Sequence, residues 1–65
     1  MTTDLDIYRT AKLLLDQYRE YAAIHAAMRA DEMLDRGDME GRTAWMDVIK
    51  AIEVLSNSKR SGTTH

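Results

Sequence analysis

Met33-Leu34-Asp35-Arg36-Gly37-Asp38-Met39-Glu40-Gly41-Arg42 lies between two runs with helical apolar spacing. Gly37 can enter the left-handed region that ends a helix, because it has no Cβ to clash with the carbonyl. Asp38 can accept a hydrogen bond from the free amides that open the next helix. A stop signal beside a start signal predicts a helical hairpin with a very short turn.

Working outward, the chain reads as all-α. Proline is absent, strand-like alternation is nowhere sustained, and Ala, Leu, Met, Glu, Lys and Arg supply much of the composition. A first helix over about residues 4–18 should be opened by a Thr3-x-x-Asp6 capping box, with Asp4 and Asp6 at the positive end of its dipole. Its apolar stripe is Ile7, Tyr8, Ala11, Leu14, Leu15 and Tyr18, leaving Leu5 and Leu13 outside. A second helix over about 21–36 carries Ala23, Ala26, Ala27, Ala30, Met33 and Leu34. In the frame of the first stripe the second is rotated by roughly 95°, so one straight helix cannot present both to one core. A break or bend is therefore expected between Tyr18 and Ala22, although no glycine or proline lies there. The third helix, 38–55, faces inward with Ala44, Trp45, Val48, Ile49, Ala51, Ile52 and Leu55. Residues 56–65 have no apolar anchor and are expected to be a disordered tail.

These readings predict one domain over residues 1–55, a small three-helix bundle. The alternative is a long bent helix plus a second helix, forming a helical hairpin that dimerises. Sixty-five residues bury little surface, and a chain of this size needs disulfides, a metal, a second subunit or very close packing. Cysteine is absent and His25 and His65 are the only histidines, so neither disulfides nor a zinc centre is expected. Cysteine-free composition, an acidic N-terminus without a secretory pattern and no apolar run of spanning length suggest a soluble cytoplasmic protein. A formal net charge of −2 gives no general attraction to nucleic acid or anionic lipid.

Asp6-Ile7-Tyr8-Arg9-x-Ala11-x-Leu13-Leu14, the block from Ala26 through Gly41, and Trp45 with Ala51-Ile52-Glu53 carry a resemblance. Over most of residues 4–55 the chain resembles a family of short, uncharacterised bacterial helical proteins, a domain of unknown function. The resemblance implies a compact helical fold and no activity, ligand or catalytic residue. Members often carry a glycine near position 19, where this chain has Arg19. A looser likeness, to one hairpin of a tetratricopeptide repeat, fails as an array because no 34-residue period fits.

Chemistry-bearing groups are sparse. Asp31, Glu32, Asp35, Asp38 and Glu40 cluster about the turn but lack the spacing of a calcium loop. Asp38 reads as a cap, and Glu32–Arg36 as a favourable i,i+4 pair. Asp47–Lys50 and Lys50–Glu53 are i,i+3 pairs. Asp31–Asp35 is a like-charge i,i+4 pair with no structural reason to exist. His25 lies near Tyr21 and Arg29 with no nucleophile indicated. Gly37 and Gly41 before Arg42-Thr43 lack the Gly-Lys-Ser/Thr ending of a phosphate loop. Neither a catalytic nor a cofactor-binding residue is expected, and the protein is expected not to be an enzyme.

The apolar residues left after assigning the core are Leu5, Leu13, Ile24, Met28, Met39, Met46 and Val54. Ile24 and Met28 are an i,i+4 pair beside the alanine face, and methionine adapts well to partner surfaces. Ile24, Met28, Asp31 and Asp35 are thus the candidate interaction surface, for a protein partner or for self-association as a homodimer. A non-enzymatic interaction or regulatory module is the expected function. The alternative is a nucleic-acid-associated helix-turn-helix regulator, which would need more basic residues than Arg42 at the start of the third helix.

Overall fold

The computed structural model describes residues 4–63, and side chains through residue 57. These residues are helical throughout except for two junctions, with no strand among them. Helix α1 spans Asp4–Tyr18, a single 3-10 turn covers Arg19–Tyr21, α2 spans Ala22–Asp35 and α3 spans Met39–Thr63. Residues 4–35 are interrupted once, at the 3-10 turn, and Gly37 separates them from α3. Where separate first and second helices were expected, the 3-10 turn joins α1 to α2 without a loop. The Thr3 half of the expected capping box lies outside the described residues.

The turn between α2 and α3 follows from its local chemistry. Gly37 sits at φ +74°, the Asp38 amide donates to the Met33 carbonyl at 2.8 Å, and the Gly37 amide donates to the Leu34 carbonyl at 3.0 Å. This is a Schellman closure, which satisfies carbonyls that the helix end would leave free. Asp38 then opens α3 with its side chain: Oδ1 accepts the Gly41 amide at 2.9 Å. A Cβ at position 41 would lie 2.7 Å from Asp38 Oδ2 and 2.8 Å from Met33 Sδ. Gly41 therefore leaves room for the carboxylate that caps its own helix.

The first junction lies within the interval where the apolar stripes fall out of phase. Ile7, Ala11 and Leu14 are buried on α1, and Ala22, Ala26 and Ala30 on α2. On an uninterrupted helix these two sets would also point roughly 95° apart. The chain reconciles them by breaking at Arg19, which takes φ +55° without being glycine. The Ala22 amide closes the turn by donating to the Arg19 carbonyl. Left-handed backbone costs a residue with a Cβ about 1–2 kcal/mol, so burial of both faces has outweighed local strain here.

Both α1 and α2 pack on α3, with α2 against α3 the most extensive contact and α1 against α2 the least. The short turn makes α2 and α3 antiparallel. At its other end, Ile7 borders a shallow depression with Met39, Ala44 and Asp47, so α1 begins alongside the first half of α3. The chain thus doubles back at the 3-10 turn. Val48, Ala51 and Ile52 complete the core, with Trp45, Ile49 and Leu55 half-buried around it. Five of the nine buried residues are alanine, and Ala11, Ala22 and Ala26 have no exposure at all. Such small side chains let helix axes approach closely and let the bulk of α1 and α3 fill the space.

Several expectations need correction. Ala27 and Leu34 face solvent, the latter 47% exposed, and Ala22 takes the inward position instead. Tyr8 is also exposed. The inward face of α2 is rotated by roughly 40° from the one its apolar pattern suggested. Glu32 pairs with Arg29 at 3.1 Å, not with Arg36. No ion pair forms from Asp47 to Lys50 or from Lys50 to Glu53. Finally, α3 continues to Thr63, past Leu55 where the apolar periodicity ends. Its backbone bonds are made within the helix, and residues 56–61 contain neither proline nor glycine to stop it.

Candidate functional site

The outer surface of α2 brings the four candidate residues together. Taking 100° per residue, Ile24, Met28, Asp31 and Asp35 fall in a stripe about 60° wide, centred roughly 170° from the buried Ala22, Ala26 and Ala30. The stripe is opposite the alanine face, not beside it, because the helix is rotated toward Ala22. Ile24 is 58% exposed and Met28 54%. Tyr21, at the end of the 3-10 turn and 61% exposed, extends the apolar half by one turn. Its i,i+3 spacing to Ile24 is visible in the chain, but the sequence alone places Tyr21 only as a neighbour of His25.

Asp31 and Asp35 form the other half of the stripe, one turn apart and both exposed. Among the described residues neither carboxylate makes an ion pair, whereas nearby Glu32 is held by Arg29. The stripe is thus divided lengthwise: an apolar end near the 3-10 turn and an anionic end near Gly37.

Other groups do not assemble with it. The His25 ring stacks on Tyr18, centroids 3.9 Å apart and planes 18° from parallel. This contact spans the break and ties α1 to the first turn of α2; helical periodicity does not foretell it, because the two residues lie in different helices. From His25 to Asp35 is ten residues of helix, about 15 Å, so imidazole and acidic turn stay apart. Tyr21 points outward, and among the described residues no polar or charged side chain is buried. No group of three or more potential metal ligands forms among them either.

The depression beside Ile7 is lined by Asp38, Met39, Glu40, Gly41, Thr43, Ala44 and Asp47. It is open to solvent and three of its lining groups are acidic, which opposes an anionic ligand. The Gly41 amide there is already taken by Asp38 Oδ1, and the Arg42 amide by the Asp38 carbonyl at 3.0 Å. One of the first-turn amides that could serve an anion is therefore already satisfied from within, and the acidic lining opposes one at the others. The same residues form the start of the helix that a helix-turn-helix reading would place in a DNA groove, and Arg42 is the one base among them. No described helix is long and apolar enough to cross a membrane.

Comparison of the chain with family models, with curated proteins and with solved structures finds no match.

Proposed function

We propose that this chain is a small three-helix bundle acting as a non-enzymatic protein-interaction module through the outer face of α2. The observation that carries this reading is the exposure of Ile24 and Met28 on the face opposite the core, where more than half of each is left uncovered by the fold. Rigid support comes from behind: the same helix is held to α3 by fully buried alanines and by a self-capped turn. A face so supported can present the same side chains to each partner molecule, which lowers the ordering cost of binding. The regulator that reads DNA is the weaker alternative, since the start of α3 carries Asp38 and Glu40 beside Arg42.

The test compares two baits, the wild-type chain and Ile24→Asp/Met28→Asp, with matched helicity by circular dichroism. Proteins captured from the native cell, including untagged copies of the chain itself, should be lost with the variant. Identical capture by both baits would remove α2 as the interaction face. Retardation of duplex DNA that weakens with salt would revive the alternative.

A further inference from the structure

The distribution of large apolar side chains singles out one partner. Four large aliphatic residues are buried, Ile7, Leu14, Val48 and Ile52, each retaining 4–8% exposure. Ten large apolar side chains are 39–62% exposed. An alanine-rich core that leaves half of the large apolar side chains exposed among the described residues presents hydrophobic surface that a partner can cover. Resting on the interaction reading above, we propose that the outer face of α2 is the seam of an antiparallel two-fold dimer, and that its occupant is a second copy of this chain.

The area is that of a weak dimer. Tyr21, Ile24 and Met28 are 54–61% exposed, and at full side-chain areas near 200 Å² they offer roughly 350 Å² per copy. Two copies together cover roughly 700 Å² of apolar surface, to which the rim of Ala27, Asp31 and neighbouring polar groups adds, toward the roughly 1,200 Å² at the low end of stable interfaces.

The charges select the direction. In a parallel seam Asp31 and Asp35 would each face their own copy, placing four carboxylates in one row with no cation among the described residues to separate them. In an antiparallel seam with its axis midway between Ile24 and Met28, Ile24 of one copy meets Met28 of the other, and the reverse contact is made equally. Asp31 and its copy are then about 15 Å apart along the helix, and Asp35 and its copy about 27 Å. Both separations exceed the screening length of roughly 8 Å at physiological salt. Asp31 then falls opposite Tyr21 of the second copy, whose phenol can donate to it. This pairing supplies a reason for the like-charged i,i+4 pair that the fold itself does not use: it penalises the parallel alternative.

The absence of cysteine allows a clean experiment on the full chain. Sedimentation equilibrium from micromolar to millimolar concentration should show a monomer–dimer equilibrium, and Met28→Asp should weaken it at least tenfold while helicity at low concentration is kept. Independently, a short bis-maleimide should link Ala27→Cys, adjacent to the axis, into dimers, and should not link Asp35→Cys. A strict monomer throughout, a dimer indifferent to Met28→Asp, or equal linking of the two cysteine variants would overturn the proposal. A monomer whose capture of other proteins still depends on Ile24 and Met28 would overturn the second copy alone and leave the interaction reading standing.

Discussion

Arg19 offers the sharpest test of how this fold is assembled. Its φ of +55° is the one positive value at a residue with a Cβ among the described residues. That conformation costs about 1–2 kcal/mol relative to a right-handed residue. Glycine removes the clash, at a cost of roughly 0.5–1 kcal/mol for the extra freedom it has when unfolded. Arg19 is exposed and makes no ion pair, so little else is lost. Arg19→Gly should therefore stabilise the protein by about 0.5–1 kcal/mol. At 4–8 °C per kcal/mol for a domain this small, Tm should rise by about 2–8 °C. Arg19→Asn should recover part of that gain, since asparagine tolerates the left-handed region, and Arg19→Ala none, since its Cβ keeps the strain. Thermal and urea unfolding followed by circular dichroism would measure the series, at one fixed protein concentration because self-association raises Tm. A stabilising Arg19→Ala equal to Arg19→Gly would show that the side chain, not the backbone, was the cost. A destabilising Arg19→Gly would mean that the turn is not held at positive φ.

At the second turn, Asp38→Ala should cost about 1 kcal/mol by freeing the Gly41 amide. Gly41→Ala should gain nothing in the wild-type chain, where its Cβ meets the cap, yet gain up to about 1 kcal/mol of helix propensity once Asp38 is alanine and the flexible Met33 side chain moves its Sδ aside; a double-mutant cycle by urea unfolding reads this coupling, and an additive result would refute it. Ala26→Leu should destabilise by about 1–3 kcal/mol, because a fully buried alanine leaves no room against α3; an unchanged melting curve would show a loose core. Trp45→Ala should cost about 3 kcal/mol, the lower end for an aromatic truncation since Trp45 is only half-buried, and a thermal melt indifferent to it would remove Trp45 from the core.

How much of this could be read from the chain depends on how local the cause is. Gly37 and Asp38 act through their own backbone and side chain, so the turn and both caps were legible. The break before Ala22 was legible as a phase mismatch between two stripes. Which residue absorbs it was not, because nothing in Gln17-Tyr18-Arg19-Glu20-Tyr21 prefers positive φ; the position follows from the packing of α1 and α2 on α3. The orientation of α2 was hidden for a different reason. Ala22, Ala23, Ala26, Ala27 and Ala30 cover an arc of about 140° on the helix, and methyl groups of equal size carry no phase within it. The neighbouring helices chose Ala22 over Ala27. On α3, by contrast, Val48 and Ile52 differ sharply from Asp47, Lys50 and Glu53, and the inward face was plain. Of the candidate surface, the exposure of Ile24 and Met28 was anticipated, while their place opposite the core and the extension to Tyr21 needed the structure.

The rotation of α2 joins the fold to its proposed use. Had the helix turned as its apolar pattern suggested, Ala27 and Leu34 would face inward, and the outer stripe would shift toward Arg29, Glu32 and Arg36, a charged and self-paired surface. Turning toward Ala22 places Ile24 and Met28 farthest from the core and aligns them with Asp31 and Asp35. That turn is available only because the chain breaks at Arg19, which frees the phase of α2 from that of α1. The strain at one exposed residue and the apolar stripe two turns later are therefore parts of one arrangement. Relieving the strain with glycine should leave the stripe in place, because the phase is held by the buried alanines and not by Arg19 itself. Lengthening or deleting one residue in the 3-10 turn should disturb the packing of α1 while α2 and α3, joined through Gly37 and Asp38, keep their own register. The outer face of α2 is thus set by the hairpin, and the first helix serves to cover the other side of it.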